Sequence, residues 1–288
     1  MTAKTWLIRT LLASCLVATS SAGAQSRITF SPTRQHPSDL EVGGDLLHVP
    51  PGQTRFITYE DLLTLPQDTY RVTDDANCTP PATLSGISRE KLPALLNAAP
   101  TAHMVTALCD DNYKANYPAA YFKNHHPILV LRINGQPPDK WPLAEGNASM
   151  GPYMISHPTF KAAYKILAHT DEPQIPWGVI RIDFRNEPTV YTPITPTSTD
   201  PAIHQGFAIA QQNCFRCHNQ GTEGGTKSHM TFTTIGRIAS TNPTLFDRYI
   251  LNPTAINPRS QMAASPTYDA PTLAALRAYF TTFAEAPK

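Results

Sequence analysis

The pentapeptide Cys214-Phe215-Arg216-Cys217-His218 constrains this chain more than any other feature. Two thiols three residues apart share one turn, and an imidazole follows directly. This is the attachment pattern for a c-type haem: both sulfurs reach the vinyl groups of one porphyrin and the histidine rises beneath its iron. Two other readings of the cysteine pair fare worse. A redox pair wants a preceding strand, whereas Pro201 to Asn213 has helical spacing. A zinc site wants a second Cys-x-x-Cys or a paired histidine further on, and neither follows.

The flanking residues read as a small helical unit over Thr199 to Lys288. Asp200 is a helix cap and Pro201 sits just inside it. Ile203, Phe207 and Ala210 follow at helical spacing, and Gly206 is small enough for a close helix crossing. Asp269 and Pro271 open a closing helix with Leu273, Leu276, Phe280 and Phe283 on its apolar face and Tyr279 beside it. A middle helix, Pro243 to Leu251, is stopped by Asn252-Pro253. A second iron ligand is still needed, and only Met230 and Met262 lie beyond the pentapeptide among the methionines. Met262 stands in the Pro-rich run Asn257-Pro258-Arg259-Ser260-Gln261-Met262, where a thioether can approach the iron without disturbing a helix. Met230 and His229 are its rivals, a dozen residues past His218. His/Met ligation raises the iron's potential relative to two imidazoles, which suits an acceptor of electrons.

Residues 200–288 thus resemble a class I c-type cytochrome domain. The resemblance implies one haem c per chain, thioether bonds at Cys214 and Cys217, His218 as proximal ligand and Met262 as distal ligand. There are departures from the pattern. Ala263 stands where a proline often follows the ligand methionine, and no proline follows His218. Asn219 to Thr226 is therefore expected to supply the backbone carbonyl that orients the imidazole. Arg259 is a candidate contact for a haem propionate or, equally, a solvated loop charge.

Upstream, the first 24 residues read as a signal peptide. Lys4 and Arg9 give the positive start, Thr10 to Thr19 a short apolar run and Ala22-Gly23-Ala24 a small-residue cleavage site. This predicts export to a periplasm. A lipobox reading of Leu12-Ala13-Ser14-Cys15 competes, with anchoring through Cys15, but Arg9 leaves it almost no apolar stretch. No segment is long and apolar enough to span a bilayer. The 28 prolines in 288 residues exclude a long helical bundle, and the +1 net charge gives no nucleic-acid footprint. Residues 187–199 are rich in threonine and proline and are expected to be an extended tether between two domains.

The first domain, residues 27–186, alternates short strand-like runs with short helices. Strands are expected at Leu46 to Val49, Thr69 to Val72, His103 to Cys109, Ile128 to Ile133 and Val179 to Phe184. Asn134-Gly135 signals a tight turn. Helices are expected at Thr58 to Leu63 and Ser88 to Leu92, each opened by a hydroxyl cap and early acids. The fold class is a mixed-sheet α+β domain followed by an all-α cytochrome c domain.

This arrangement is similar, at the level of fold, to the molybdopterin-binding domain of the sulfite-oxidase family. The matching pieces are Phe56 to Leu62 leading to Leu65-Pro66, Leu84 to Ile87, Ala107 to Tyr113, Ile128 to Pro137 and Gly151-Pro152-Tyr153. The family holds molybdenum through a cysteine in a strand ahead of the piece matching Leu84 to Ile87. Here that strand, Tyr70 to Asp75, has none, and Cys78 falls several residues late. Molybdopterin is therefore not expected. In an oxidising compartment Cys78 and Cys109 are expected to form a disulfide; the alternative has one of them ligating a metal with Asp110 or Asp111.

Other features read as ordinary. His125-His126 is a surface turn, and His157 and His169 are solitary. Gly221 to Ser228 fails as a phosphate loop because Thr226 replaces the required glycine. Tyr70, Tyr113, Trp141, Tyr153 and Trp177 are core or cleft aromatics. The function expected is single-electron transport through the haem to or from a redox partner protein (a dehydrogenase, another cytochrome or an oxidase), the first domain serving as docking module or scaffold. The alternative is a molybdenum-cofactor oxidoreductase with the haem as electron exit.

Overall fold

The computed structural model describes residues 28–73, 75–144, 147–158 and 174–284, so the expected signal peptide and Cys15 lie outside the described residues. A mixed nine-stranded sheet is built from β1 (Leu40–Gly44), β2 (Arg55–Ile57), β3 (Asp68–Val72), β4 (Ala82–Ser88), β5 (Met104–Cys109), β6 (Lys114–Pro118), β7 (Ile128–Ile133), β8 (Tyr153–Ser156) and β9 (Trp177–Arg185). The strand order is β2-β1-β9-β8-β7-β4-β3, and the β5–β6 hairpin joins through β9. β9 is the organising strand. It runs antiparallel to β5 along residues 179–185, parallel to β1 over 181–184 and antiparallel to β8 at 177–179.

Alternation explains which side each residue serves. On β9, Ile182 and Phe184 are fully buried, while Arg181 pairs with Glu41 at 2.9 Å and with Asp183 at 2.7 Å. On β7, Leu129 and Leu131 join a core of Leu40, Val105, Tyr117 and Phe184, whereas Ile128 and Val130 join a second core with Val72, Leu84 and Trp141. Neighbouring strand residues point to opposite faces, so these two cores lie on opposite sides of the sheet.

That division overturns the expected disulfide. Cys78 belongs to the Val72–Trp141 core and Cys109 to the other, and both are free, buried thiols. The sheet lies between them.

Local corrections follow from packing. The expected strand at Leu46 to Val49 is a turn, and β1 precedes it. The helix expected to start at Ser88 starts instead at Leu92, as α2 (Leu92–Leu95), because Ser88 still pairs with Ile128 as the end of β4. α1 (Tyr59–Leu63) forms as expected, Thr58 accepting from the Asp61 N–H at 3.0 Å. α3 (Ala119–His125) was not expected, and no side chain caps its start.

Residues 187–199 do not form the expected extended tether. Asn186 caps α4 (Glu187–Tyr191), a 3₁₀ turn follows at Thr192–Ile194, and Val190, Tyr191 and Ile194 bury themselves in the helical part. Three apolar side chains within five residues outweigh the extending tendency of the prolines.

The helical part comprises α5 (Pro201–Asn213), a two-stranded hairpin of β10 (Asn219–Gln220) and β11 (Glu223–Gly224), α6 (Phe232–Thr241), α7 (Pro243–Leu251), α8 (Pro253–Ile256) and α9 (Ala270–Thr281). Asp200 and Asp269 cap α5 and α9 through Oδ1, at 2.8 and 2.9 Å. Gly206 sits where α5 crosses α9: a Cβ there would stand 2.1 Å from the Ala275 carbonyl oxygen. Phe232 packs edge-on against Phe280 with ring centroids 5.0 Å apart, tying α6 to the same helix. Among the described residues no helix is long and apolar enough to cross a membrane.

Candidate functional site

The pentapeptide continues the turn that ends α5. Cys214 donates its backbone N–H to Ala210 O at 2.9 Å, and His218 donates to Cys214 O at 3.0 Å. Phe215 pins the turn inward. It is fully buried, with its ring 5.7 Å from Phe232 and 6.2 Å from Tyr191, while Cys214, Cys217 and His218 stay partly accessible. The glycine-rich run dismissed as a phosphate loop wraps this turn closely. A Cβ at Gly225 would lie 1.7 Å from Arg216 O, and Gly224 takes a φ of +97° beside His218 O. Ser228 N–H then closes onto Cys217 O at 2.9 Å.

His218 Nδ1 lies 2.7 Å from the carbonyl oxygen of Met230. A carbonyl can only accept, so the ring proton belongs on Nδ1 and Nε2 keeps its lone pair. The orienting carbonyl comes from Met230, beyond the expected stretch Asn219 to Thr226, because the hairpin uses that stretch to turn back on the pentapeptide. Burial holds the His218 pKa below its ordinary value, and the Met230 contact opposes this only in part.

Met262 is partly buried in the loop between α8 and α9 and packs against the same helical core as Cys214. Its N–H donates to Ser260 Oγ at 3.3 Å, and that hydroxyl accepts from Tyr249 at 3.2 Å. His229 is exposed, as is Arg259, whose backbone N–H donates to Asn257 Oδ1 at 3.1 Å. The donor set of two thiols on one turn, an imidazole presenting Nε2 and a thioether in a loop has the chemistry to hold a covalently attached haem.

The pentapeptide also faces the sheet. Arg216 O accepts from the Lys114 N–H at 2.9 Å, Arg216 Nη1 donates to the Tyr113 hydroxyl at 3.1 Å, and Thr226 N–H donates to Asn112 O at 3.1 Å. Lys227 pairs with Asp111 at 2.5 Å and Arg185 with Glu223 at 2.6 Å. Between the two parts lies a cavity of about 210 Å³ walled by Cys109, Asp111, Tyr113, Trp177, Arg216 and Lys227. Tyr113 and Trp177 therefore line a cleft. Burial pushes the Cys109 thiol well above its ordinary range, with lesser contributions from Asp111 and Asp110. Among the described residues no group of three or more His, Cys, Asp or Glu side chains is placed to hold a metal ion.

The histidines divide differently from expectation. His126 ends α3 with a φ of 47° and pairs with Glu90 at 3.3 Å, a surface turn. His157 is not solitary: it is buried, lies 3.0 Å from the Tyr121 hydroxyl, and its ring stands 6.3 Å from His125. His169 lies outside the described residues. Burial is set by the folded sheet, so spacing along the chain gave no signal for this cluster.

No protein-family model matches the chain, and no curated protein does. Among solved structures, the sulfane dehydrogenase SoxCD from Paracoccus pantotrophus is similar over 54% of this chain, with 14% identity and a TM-score of 0.33. The match covers 40% of that protein, so this chain spans less than half of its length.

Proposed function

We propose that the protein carries single electrons through one covalently attached haem c, in an exported compartment and in exchange with a redox partner protein. The observation that carries this reading is the His218 Nδ1 to Met230 O contact of 2.7 Å inside a Cys-x-x-Cys-His turn. It fixes the tautomer and the ring direction that an iron ligand requires. The haem, when bound, supplies a one-electron couple at its iron. Cys214 and Cys217 would tether it covalently, His218 would ligate its iron through Nε2, and Met262 would supply a thioether as second ligand. Phe215 and Phe232 exclude water from the side facing the core. The sheet part braces the attachment turn through Tyr113 and Lys114 and serves as the docking module or scaffold. A reversible one-electron titration followed in the visible spectrum tests this; a protein with no haem band in any redox state contradicts it.

A second reading, a molybdenum-cofactor oxidoreductase with the haem as exit, is favoured by one observation. Cys109, a buried thiol, walls a cavity that also touches Arg216 of the haem turn. In that reading Cys109 would hold the metal, which would supply oxidation of a small substrate, with Arg216 and Lys227 drawing an anion into the cleft. Metal analysis of protein from its native host separates the two: stoichiometric molybdenum favours the second, iron alone the first.

A further inference from the structure

Arg89 plays no part in either reading, and its surroundings pose a separate problem. It follows β4, has zero solvent exposure, and none of its three guanidinium nitrogens has a hydrogen-bond partner among the described residues. Its guanidinium carbon sits 4.2 Å from the centre of the Tyr117 ring. An aromatic face attracts the cation but satisfies none of its five N–H donors. Burial lowers its pKa only to about 10, so the side chain is a cation at neutral pH. A buried charge left uncompensated is strongly destabilising, and proteins neutralise such groups.

Among the described residues no carboxylate does so. Among the described residues Tyr117, Tyr121 and His157 act electrostatically on Arg89, while neighbouring Glu90 turns outward to His126. Around Arg89 and Tyr117 lie Tyr121, His125, His157 and the backbone of Gln174. Tyr121 lies 5.4 Å ring to ring from Tyr117, its hydroxyl is 3.0 Å from His157 Nε2, and it accepts the Gln174 N–H at 3.0 Å. The His125 ring lies 4.6 Å from that of Tyr121, tilted by 60°. A forked cation on an aromatic floor, rimmed by hydroxyl and imidazole groups, is the chemistry that recognises a tetrahedral anion bidentately.

We propose that Arg89, with Tyr121 and His157, binds a tetrahedral oxyanion, either free or as the phosphate of a larger ligand. The claim stands whether or not the haem reading does.

The test uses the full-length protein as purified, freed of phosphate and sulfate, with thermal unfolding followed against added sodium sulfate or phosphate. Sodium chloride at matched ionic strength is the control. A free oxyanion raises the midpoint saturably, and Arg89→Met abolishes the rise while being no less stable than the parent in anion-free buffer. A tightly held phosphate ester gives no rise, but denaturing the parent releases stoichiometric phosphorus that Arg89→Met lacks. If Arg89→Met does not fold, Arg89→Lys keeps the charge without the fork and weakens the anion's effect roughly tenfold. The proposal is overturned if chloride acts as strongly as sulfate, if the variants respond like the parent, or if the parent shows neither a saturable rise nor bound phosphorus.

Discussion

The imidazole Nδ1 of His218 donates to the main-chain oxygen of Met230 at 2.7 Å. Because the acceptor is backbone, no side-chain replacement at residue 230 removes it, and the imidazole keeps its orientation as long as the chain from Ser228 to Thr231 keeps its path. The same contact holds the Met230 backbone beside the imidazole, while Met262 lies in the loop before α9.

The first prediction concerns the Met262 thioether. Met262→His should lower the midpoint potential of the haem, since a second imidazole stabilises the oxidised iron relative to a thioether. Met262→Ala should let carbon monoxide bind the reduced protein, which the parent should resist. A potentiometric titration and a carbon monoxide difference spectrum check both. An unchanged potential in Met262→His would remove Met262 from the ligand set.

Gly206→Ala should destabilise the helical part. Alanine normally stabilises a helix interior by about 1 kcal/mol over glycine. Here its Cβ would meet the Ala275 carbonyl oxygen at 2.1 Å and Tyr279 Cβ at 2.6 Å. Backbone cannot retreat as a flexible side chain can, so a net loss of roughly 1–3 kcal/mol is expected. Chemical denaturation measures it, and a gain in stability would contradict the crossing.

Cys78 and Cys109 should both alkylate in unfolded, unreduced protein, and a reducing agent should leave the folding midpoint unchanged. They occupy cores on opposite faces of the sheet, and burial pushes the Cys78 thiol up to about 12. Peptide mapping after alkylation decides the matter; a linked pair of peptides would contradict the strand arrangement.

His157 should contribute to acid lability. Burial, with His125 and Arg89 nearby, holds its pKa at about 3, whereas the unfolded chain protonates it near its ordinary value of 6.5. Between those values unfolding takes up a proton, so stability is complete above about pH 6.5 and falls as the pH drops towards 3. The slope from one such group is at most ~1.4 kcal/mol per pH unit. Urea midpoints of His157→Gln between pH 4 and 7 should fall less steeply than those of the parent; parallel slopes would place His157 in contact with water.

Much of the helical part was legible because its signals are local. Asp200, Pro201, Asp269 and Asn252-Pro253 each set a helix boundary through a contact within three residues. α6 was missed although Thr231 caps it and Phe232, Ile235 and Ala239 keep helical spacing. The sheet was less legible. β4 contains the run Leu84-Ser85-Gly86-Ile87, and only its pairing with β3 and β7 makes it a strand. The same distance along the chain hid the clusters: Arg89, Tyr117, Tyr121 and His157 are brought together by strand order, as are Cys109, Trp177 and Arg216 around the cleft. At residues 187–199 composition pointed to an extended tether, and the burial of Val190, Tyr191 and Ile194 decided otherwise.

The most direct measurement is the mass of the tryptic fragment carrying residues 214–218, taken from protein expressed with its export and haem-attachment machinery. One haem bonded to that fragment, with neither Cys214 nor Cys217 open to alkylation, is the result predicted. An unmodified fragment with two alkylatable thiols, from a protein without visible absorption, would contradict the account.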